Sequence, residues 1–538
     1  MQVCELTSCK IPEVSSPGYF HWLCHGMLVA GFFAFAPDTG YTQTPLMDGQ
    51  AMLGRSVPFL AQIDPATARN SWQVDTLTNS QNRDTPYGGG SNLLGTVGGL
   101  RPWLGRYGIA LNIQDTNELW GNITGGIASS SGNGNGRGSD TGPAYIGVTM
   151  PTLTADLEKL MGLKGGTFNI SALQIRGRPI TQDRLADFNP ISGFEAGRST
   201  RLFELWYQQS FLRGALDIKL GQQDLDTEFL ISDYAALYLN ANFGWPMGPS
   251  VNLYGGGPSW PLASPAIRLR YRPKGNYTVM FAAADDNPSE TDNNPSNSSS
   301  PRPNANQSIA ISQTVIDNNG TRFSMGTGAL LITELQYALN PQSGDRGLTS
   351  RQSGLPGIYK LGGYYDTGRF PDYRYNTQGQ SLGTDGGTPR QDRGNWLIYG
   401  IIDQLIWRPA PDASRSLGIF VRATGNRGDR NAISFAIDAG LNLKAPFPNR
   451  VNDTLGFGWG MGRATSGLRA YDRMRGTIVQ GNENHLELTY QAQVMPWMVV
   501  QPDFQYVLHP MGGAGDPSHP ARAIGNEAVF GLHTNVNF

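Results

Sequence analysis

Thiols are confined to the start of the chain: Cys4, Cys9 and Cys24 are the only cysteines in 538 residues. A disulfide scaffold and a cysteine-ligated zinc site are therefore excluded from the rest of the protein. Thiol avoidance over such a length suits a chain that crosses an oxidising periplasm unfolded. Charge is scarce too, at 16% of residues with a net of −2. Lys and Arg are scattered rather than striped, so no basic field exists to grip a phosphate backbone, and no nucleic-acid partner is expected. No apolar run reaches the roughly 18 residues that a membrane-spanning helix needs. The sequence also lacks H-E-x-x-H, no Ser-His-Asp set can be located from spacing, and His485, His509, His519 and His533 show no ligand spacing. No cofactor, metal or catalysis is expected; a barrel-borne hydrolase is the remote alternative.

Glycine, proline and aromatics are plentiful, with 69 Gly, 35 Pro and 10% aromatic residues. Residues 22–36 (WLCHGMLVAGFFAFA) have the length and small-residue end of a secretory signal, so residues 1–40 read as a leader. Residues 41–95 are rich in Gln, Asn, Ser, Thr, Pro and Gly and have no sustained period. They read as a loosely ordered periplasmic arm. GNGNGRG at 132–138 lacks the Lys-Ser/Thr ending of a phosphate loop and reads as a surface loop. The acidic run Asp285, Asp286, Glu290 and Asp292 matches no EF-hand and reads as solvated.

From Tyr107 onward apolar and polar residues alternate, the period-2 signature of a strand with one face in an apolar medium and the other in water. Ala528, Phe530, Leu532, Thr534, Val536 and Phe538 fall on one face, and Gly531, His533, Asn535 and Asn537 on the other. Met498, Val500, Phe504, Tyr506 and Leu508 oppose Gln501, Asp503 and Gln505. Pro502 stands in the apolar row, tolerable only where pairing is weak. Further rows set Phe203, Leu205 and Tyr207 against Glu204, Trp206 and Gln208; Ile267, Leu269 and Tyr271 against Arg268, Arg270 and Arg272; and Ile433, Phe435, Ile437, Leu441 and Leu443 against Ser434, Asp438 and Asn442.

Connections alternate between short (Leu212 to Gly214, Arg272 to Asn276, Pro496-Trp497) and long (Ala284 to Thr321, Asp366 to Gly394, Gly462 to Asn484, Pro510 to Asn526). That asymmetry belongs to an outer-membrane barrel, whose ring closure leaves no unpaired edge in hydrocarbon. Merging Tyr107–Ile113 with Leu119–Ile127, which share one phase, gives sixteen strands instead of seventeen. The expectation is an all-β, closed antiparallel transmembrane barrel over residues 96–538. A short periplasmic helix is expected at Leu153–Leu163, and girdle residues at Trp396, Trp407, Trp459 and Trp497.

The ordered series FELWYQQSF (203–211), LGQQDLDTEF (220–229), SPAIRLRYRP (264–273), GIYKLGGYYDTG (357–368), YGIIDQLIW (399–407) and LTYQAQVMPWMVVQPDFQYVLHP (488–510) resembles the carbohydrate-selective porins of the OprB type. The chain departs from that pattern in its leader, in the Asn/Ser/Pro-rich stretch 285–308, and in His533 where an arginine is expected. The resemblance implies a sixteen-stranded barrel in the bacterial outer membrane that passes glucose and other small sugars. A general porin without sugar preference is the runner-up. Implied partners are small sugars, outer-membrane lipid and lipopolysaccharide, and the barrel-assembly machinery acting on Phe538; oligomeric state stays open.

A sugar channel must hold its solute weakly, with millimolar affinity of about −4 kcal/mol. Its wall must pair hydroxyls with carboxylate and guanidinium groups and meet the apolar pyranose face with an aromatic ring. Glu204, Trp206 and Gln208 on one water-facing row and Arg268 and Arg270 on another are the first candidates. Asp217, Lys219, Glu334, Gln336, Asp503 and Gln505 share the phase and rank second. The long connection 222–265, with Asp224, Asp226, Glu228, Trp245, Tyr254 and Trp260, either folds inward to narrow the channel or caps it outside.

Overall fold

The computed structural model describes residues 92–127, 142–273, 275–288, 317–323, 325, 326, 328–340, 354–410, 413–517 and 519–538. The expected leader, most of the expected arm, GNGNGRG, and Glu290 and Asp292 lie outside these residues. In chain order the strands are β1 (Ile109–Thr124), β2 (Ala144–Asp156), β3 (Gly166–Gly177), β4 (Ser199–Phe211), β5 (Leu216–Gln223), β6 (Ser264–Tyr271), β7 (Tyr277–Asp285), β8 (Ala329–Leu339), β9 (Gly357–Asn376), β10 (Pro389–Trp407), β11 (Ser416–Asn426), β12 (Ile433–Lys444), β13 (Thr454–Ala464), β14 (Asn482–Met495), β15 (Met498–Leu508), β16 (Gly515–Asp516), β17 (His519–Ala523) and β18 (Glu527–Asn537). β16 and β17 form a small separate hairpin; the other sixteen close an antiparallel barrel by pairing of β1 with β18. β1 is one continuous strand, as the shared phase requires.

Alternation is realised with apolar side chains outside and polar ones inside. On the outer face Leu361 is 67% and Ile398 62% exposed, whereas the inward Arg268 and Asp403 are fully buried. β18 keeps its expected phase throughout: Phe530 and Leu532 are exposed, and His533, Asn535 and Asn537 are buried. Pro502 lies in the outward row, and the β14–β15 ladder has no pair there between Thr489↔Asp503 and Ala492↔Val500. The break falls on the β14 side alone, and Pro502 remains paired with Leu532 of β18.

Two rows depart from strict alternation. Phe203 is buried inside, beside Ile146, Val148, Leu173 and Phe194, not in the lipid row. The cause is a bulge, seen as a register shift between Ile170 and Ala172 in the β3–β4 ladder, which displaces the phase of β4 by one residue. A similar shift between Ile433 and Phe435 turns Ile433 inward against Met247 and Val251. The expected helix is shorter than its apolar spacing suggests. Leu153–Ala155 remain in β2, paired with β1, and the helix begins at Leu157, where the Asp156 carboxylate accepts from the Glu158 and Lys159 amides. A helix at Leu100–Arg106 was not anticipated; its Arg101 guanidinium donates to the main-chain oxygens of Gly95, Leu111 and Phe538.

Among the long connections, 366–394 is mostly strand, because β9 runs to Asn376 and β10 starts at Pro389. Trp396 on β10 is exposed opposite Tyr365 and Trp407 is exposed at the other end of its strand, both suited to a girdle. Trp459 instead sits in the middle of β13, paired with Ala439 and Leu486.

Candidate functional site

The connection 224–263 between β5 and β6 folds into the barrel. Its first limb buries Leu225, Phe229 and Leu230 against the inward Met280, Ala282, Leu330, Ile332, Tyr399 and Ile401. That part of the inner wall is dry, not water-lined as simple alternation implies. A second limb seats Tyr234, Leu237, Tyr238 and Phe243 around Phe420.

Room for the second limb comes from missing side chains. β13 carries Gly456, Gly458, Gly460 and Gly462 on its buried face. A Cβ at Gly456 would lie 2.6 Å from Leu237, and one at Gly458 2.7 Å from Phe243. Alternate glycine in a strand marks a face that another segment approaches closely. The pattern GFGWGMG was a readable signal that sequence reasoning did not use.

Polar pins then fix the loop, since each buried main-chain group needs a partner. Lys360 Nζ donates to the Ile231 carbonyl at 2.7 Å. The Glu487 carboxylate accepts from the Leu239 and Asn240 amides at 2.6 and 3.1 Å. Arg422, fully buried on β11, donates to the carbonyls of Leu230, Asn242, Phe243 and Gly244 at 2.6 to 3.0 Å and pairs with Asp438 at 2.9 Å. One guanidinium thereby joins both limbs of the loop.

The sequence-selected residues fall in three places. Seven of them meet on β4, β5 and β6: Glu204, Trp206, Gln208, Asp217, Lys219, Arg268 and Arg270. Lys219 Nζ lies 2.8 Å from Glu228, 3.9 Å from Glu204 and 4.4 Å above the Trp206 ring. Arg268 reaches Gln208 at 2.8 Å and pairs with Glu228, while Arg270 pairs with Asp217 at 2.8 Å. Burial alone would raise the Glu228 carboxyl, but Arg268, Lys219 and Arg270 outweigh it and hold the group at about 2. Glu334 and Gln336 sit together on β8, where Glu334 accepts from the Tyr399 hydroxyl, the Leu230 amide and Gln336. Asp503 and Gln505 lie on β15, with Gln505 accepting from Asn240 at 3.0 Å and donating to the Ile191 carbonyl at 2.9 Å. The latter two groups hold the loop in place.

Of the residues around the pocket that remains, sequence reasoning named Asp226 and Trp260 only as part of the undecided 222–265 connection and did not select the others as sugar-binding. A pocket lies between the loop and the β14, β15 and β18 wall, lined by Phe194, Asp226, Trp260, Gln501, His533 and Asn535 among others. The Phe194 ring stands edge-on to Trp260 with centroids 5.7 Å apart, and 5.7 Å from the His533 ring. His533 Nδ1 is 2.8 Å from the Glu118 carboxylate, and Asn535 donates to Thr116 at 3.0 Å. Glu195 lines the same pocket; burial pushes its carboxyl up to about 8, against donation from the Thr181 amide and hydroxyl. Two aromatic rings, carboxyl groups and amides therefore line one pocket. Such a wall suits a solute with both hydroxyls and a flat apolar face.

Comparison with known proteins agrees with this architecture. Porin B of Pseudomonas aeruginosa is 27% identical over 447 residues, 78% of this chain and 87% of that protein. The high-pH structure of Pseudomonas putida OprB superposes with a TM-score of 0.66 at 21% identity, over 83% of this chain and 98% of that one. The model of the carbohydrate-selective porin, OprB family, matches residues 140–538. A closed sixteen-stranded barrel with an apolar exterior and such relatives is a protein of the bacterial outer membrane, and the chain belongs to the carbohydrate-selective porin family, OprB.

Proposed function

We propose that this barrel passes small neutral sugars, glucose-type monosaccharides and disaccharides, across the outer membrane by passive diffusion, without catalysis or energy coupling. One observation supports the reading: a loop folded and pinned inside the barrel leaves a pocket whose lining combines Trp260 and Phe194 with the amide and imidazole groups of Gln501, Asn535 and His533. The rings supply a surface for the C–H face of a pyranose, and the polar wall exchanges hydrogen bonds with its rim. Asp217, Glu204 and Glu228 face Lys219, Arg268, Arg270 and Arg272 in the neighbouring cluster, so both signs of charge are present and a neutral polar solute meets partners of either kind. Within that cluster Trp206, beneath Lys219, is a third ring. Weak contact of this kind allows release as readily as entry.

The test is block of ion current by glucose in planar bilayers. Trp260→Ala should raise the half-blocking concentration roughly three- to tenfold, a loss of about 0.7–1.4 kcal/mol, with single-channel conductance unchanged or slightly increased. An unaltered block would favour a general porin lacking a sugar site.

A further inference from the structure

Two arginines face each other on the outside of the barrel. Arg369 of β9 is directly opposite Arg393 of β10, and both are exposed. Like charges in directly opposed positions of neighbouring strands repel, so the arrangement is favourable only when an anion lies between them. The backbone makes a local adjustment to create it. Strict alternation from the exposed Trp396 and Ile398 would turn Arg393 inward together with the buried Asn395. A bulge between Arg393 and Asn395, with Gly394 at φ 82°, shifts the phase by one residue and brings Arg393 out. Glycine is required there by the positive φ and because a Cβ would meet the Tyr365 hydroxyl. Arg393 Nε donates to the Thr367 carbonyl at 3.3 Å, which ties the side chain to the outer wall between the two strands.

The level of the pair matches a lipid headgroup. Tyr365 and Trp396 are cross-strand partners and both exposed, forming part of the aromatic girdle at the end of the barrel that carries the long loops. Arg369 lies four residues farther toward that end. At about 3.3 Å per residue and a tilt near 40°, this is roughly 10 Å beyond the girdle. Nearby carboxylates are engaged elsewhere: Asp372 pairs with Arg390, and Asp392 lies 3.2 Å from Arg390 and 3.6 Å from Arg430.

We propose that Arg369 and Arg393 form a binding site for the phosphate of an anionic outer-leaflet lipid, held between two guanidiniums above the Trp396–Tyr365 pair. The occupant is a lipid and not a free anion, because the pair stands on the outer wall directly above an apolar band that receives acyl chains, and two guanidiniums match the paired acceptors of a phosphate.

Native mass spectrometry of the full chain in detergent tests this with three probes: lipid A carrying its phosphates, the same lipid dephosphorylated, and inorganic phosphate. The wild type should retain phosphorylated lipid A at least about fivefold more than the Arg369→Gln/Arg393→Gln double variant, bind the dephosphorylated lipid no better than that variant does, and keep lipid A against millimolar inorganic phosphate. Removing the mutual repulsion should leave the lipid-free double variant at least as heat-resistant as the wild type, and added lipid A should protect only the wild type. Equal lipid A retention by both proteins, equal binding of the dephosphorylated lipid, or displacement by millimolar phosphate would overturn the proposal.

Discussion

Glu228 shows how one side chain sets conditions for the whole constriction. It lies on the inward loop yet pairs with Lys219 and Arg268 on the wall, all three essentially dry. Removing the anion would leave the buried Arg268 without a carboxylate and Lys219 with only the more distant Glu204, and breaking a buried pair costs about 3–5 kcal/mol. Glu228→Gln should therefore lower thermal stability clearly, whereas a surface substitution such as Arg427→Gln, in an exposed pair with Asp429, should cost under about 1 kcal/mol. Glu228 also dictates the sign of a pH effect. Its folded value of about 2 lies below the ordinary 4.5, so its contribution is complete above about pH 4.5 and is lost as pH falls toward 2. The melting temperature of the wild type should fall more steeply than that of Glu228→Gln across this window. Parallel curves would show that the carboxylate is not held down by its partners. Glu195 acts with the opposite sign: its raised value of about 8 means that its contribution is present below pH 4.5 and is lost as pH rises through 8. Glu195→Gln should flatten that decline in a thermal melt.

The decisive element is the loop 224–263, which was the part of the chain that sequence reading left undecided. Strand phase was legible because lipid and water impose a two-residue period on nearly every strand. It failed at Phe203 and Ile433, where a single bulged residue exchanges the faces. Period alone cannot register such an insertion. The seven clustered residues of β4–β6 were found because they share the inward phase. Phe194 was not selected, and Trp260 was named only as part of the undecided connection, because both sit on irregular segments where no period exists and position depends on long-range pins. Two of those pins are testable. Arg422→Ala removes four main-chain hydrogen bonds that join the loop's limbs. Single-channel conductance should rise several-fold and discrimination among solutes should weaken; Arg422→Lys, which lacks the planar fork, should restore this only in part. Gly458→Val fills the groove that receives Phe243. Overpacking there should cost about 1–3 kcal/mol in thermal unfolding and raise the conductance in the same direction. Unchanged conductance in both variants would mean that the loop is held by other contacts.

At the scale of the molecule, polarity is inverted relative to a water-soluble fold: aliphatic side chains are exposed outside, and ion pairs are buried within. Ring closure by β1 and β18 makes this inversion possible, because each barrel strand is paired on both sides. The inward loop packs on a dry inner wall at β7–β10, and is pinned to β14 and β15 by Glu487 and Gln505 beside a polar pocket that β14, β15 and β18 also line. Under the proposed function the solute passes that pocket, so the most direct test of the account is a liposome-swelling comparison of glucose with gluconate, a charged solute of similar size. Faster swelling in glucose, with the difference abolished in Trp260→Ala, is the predicted result. Equal rates for the two solutes in the wild-type protein would contradict it.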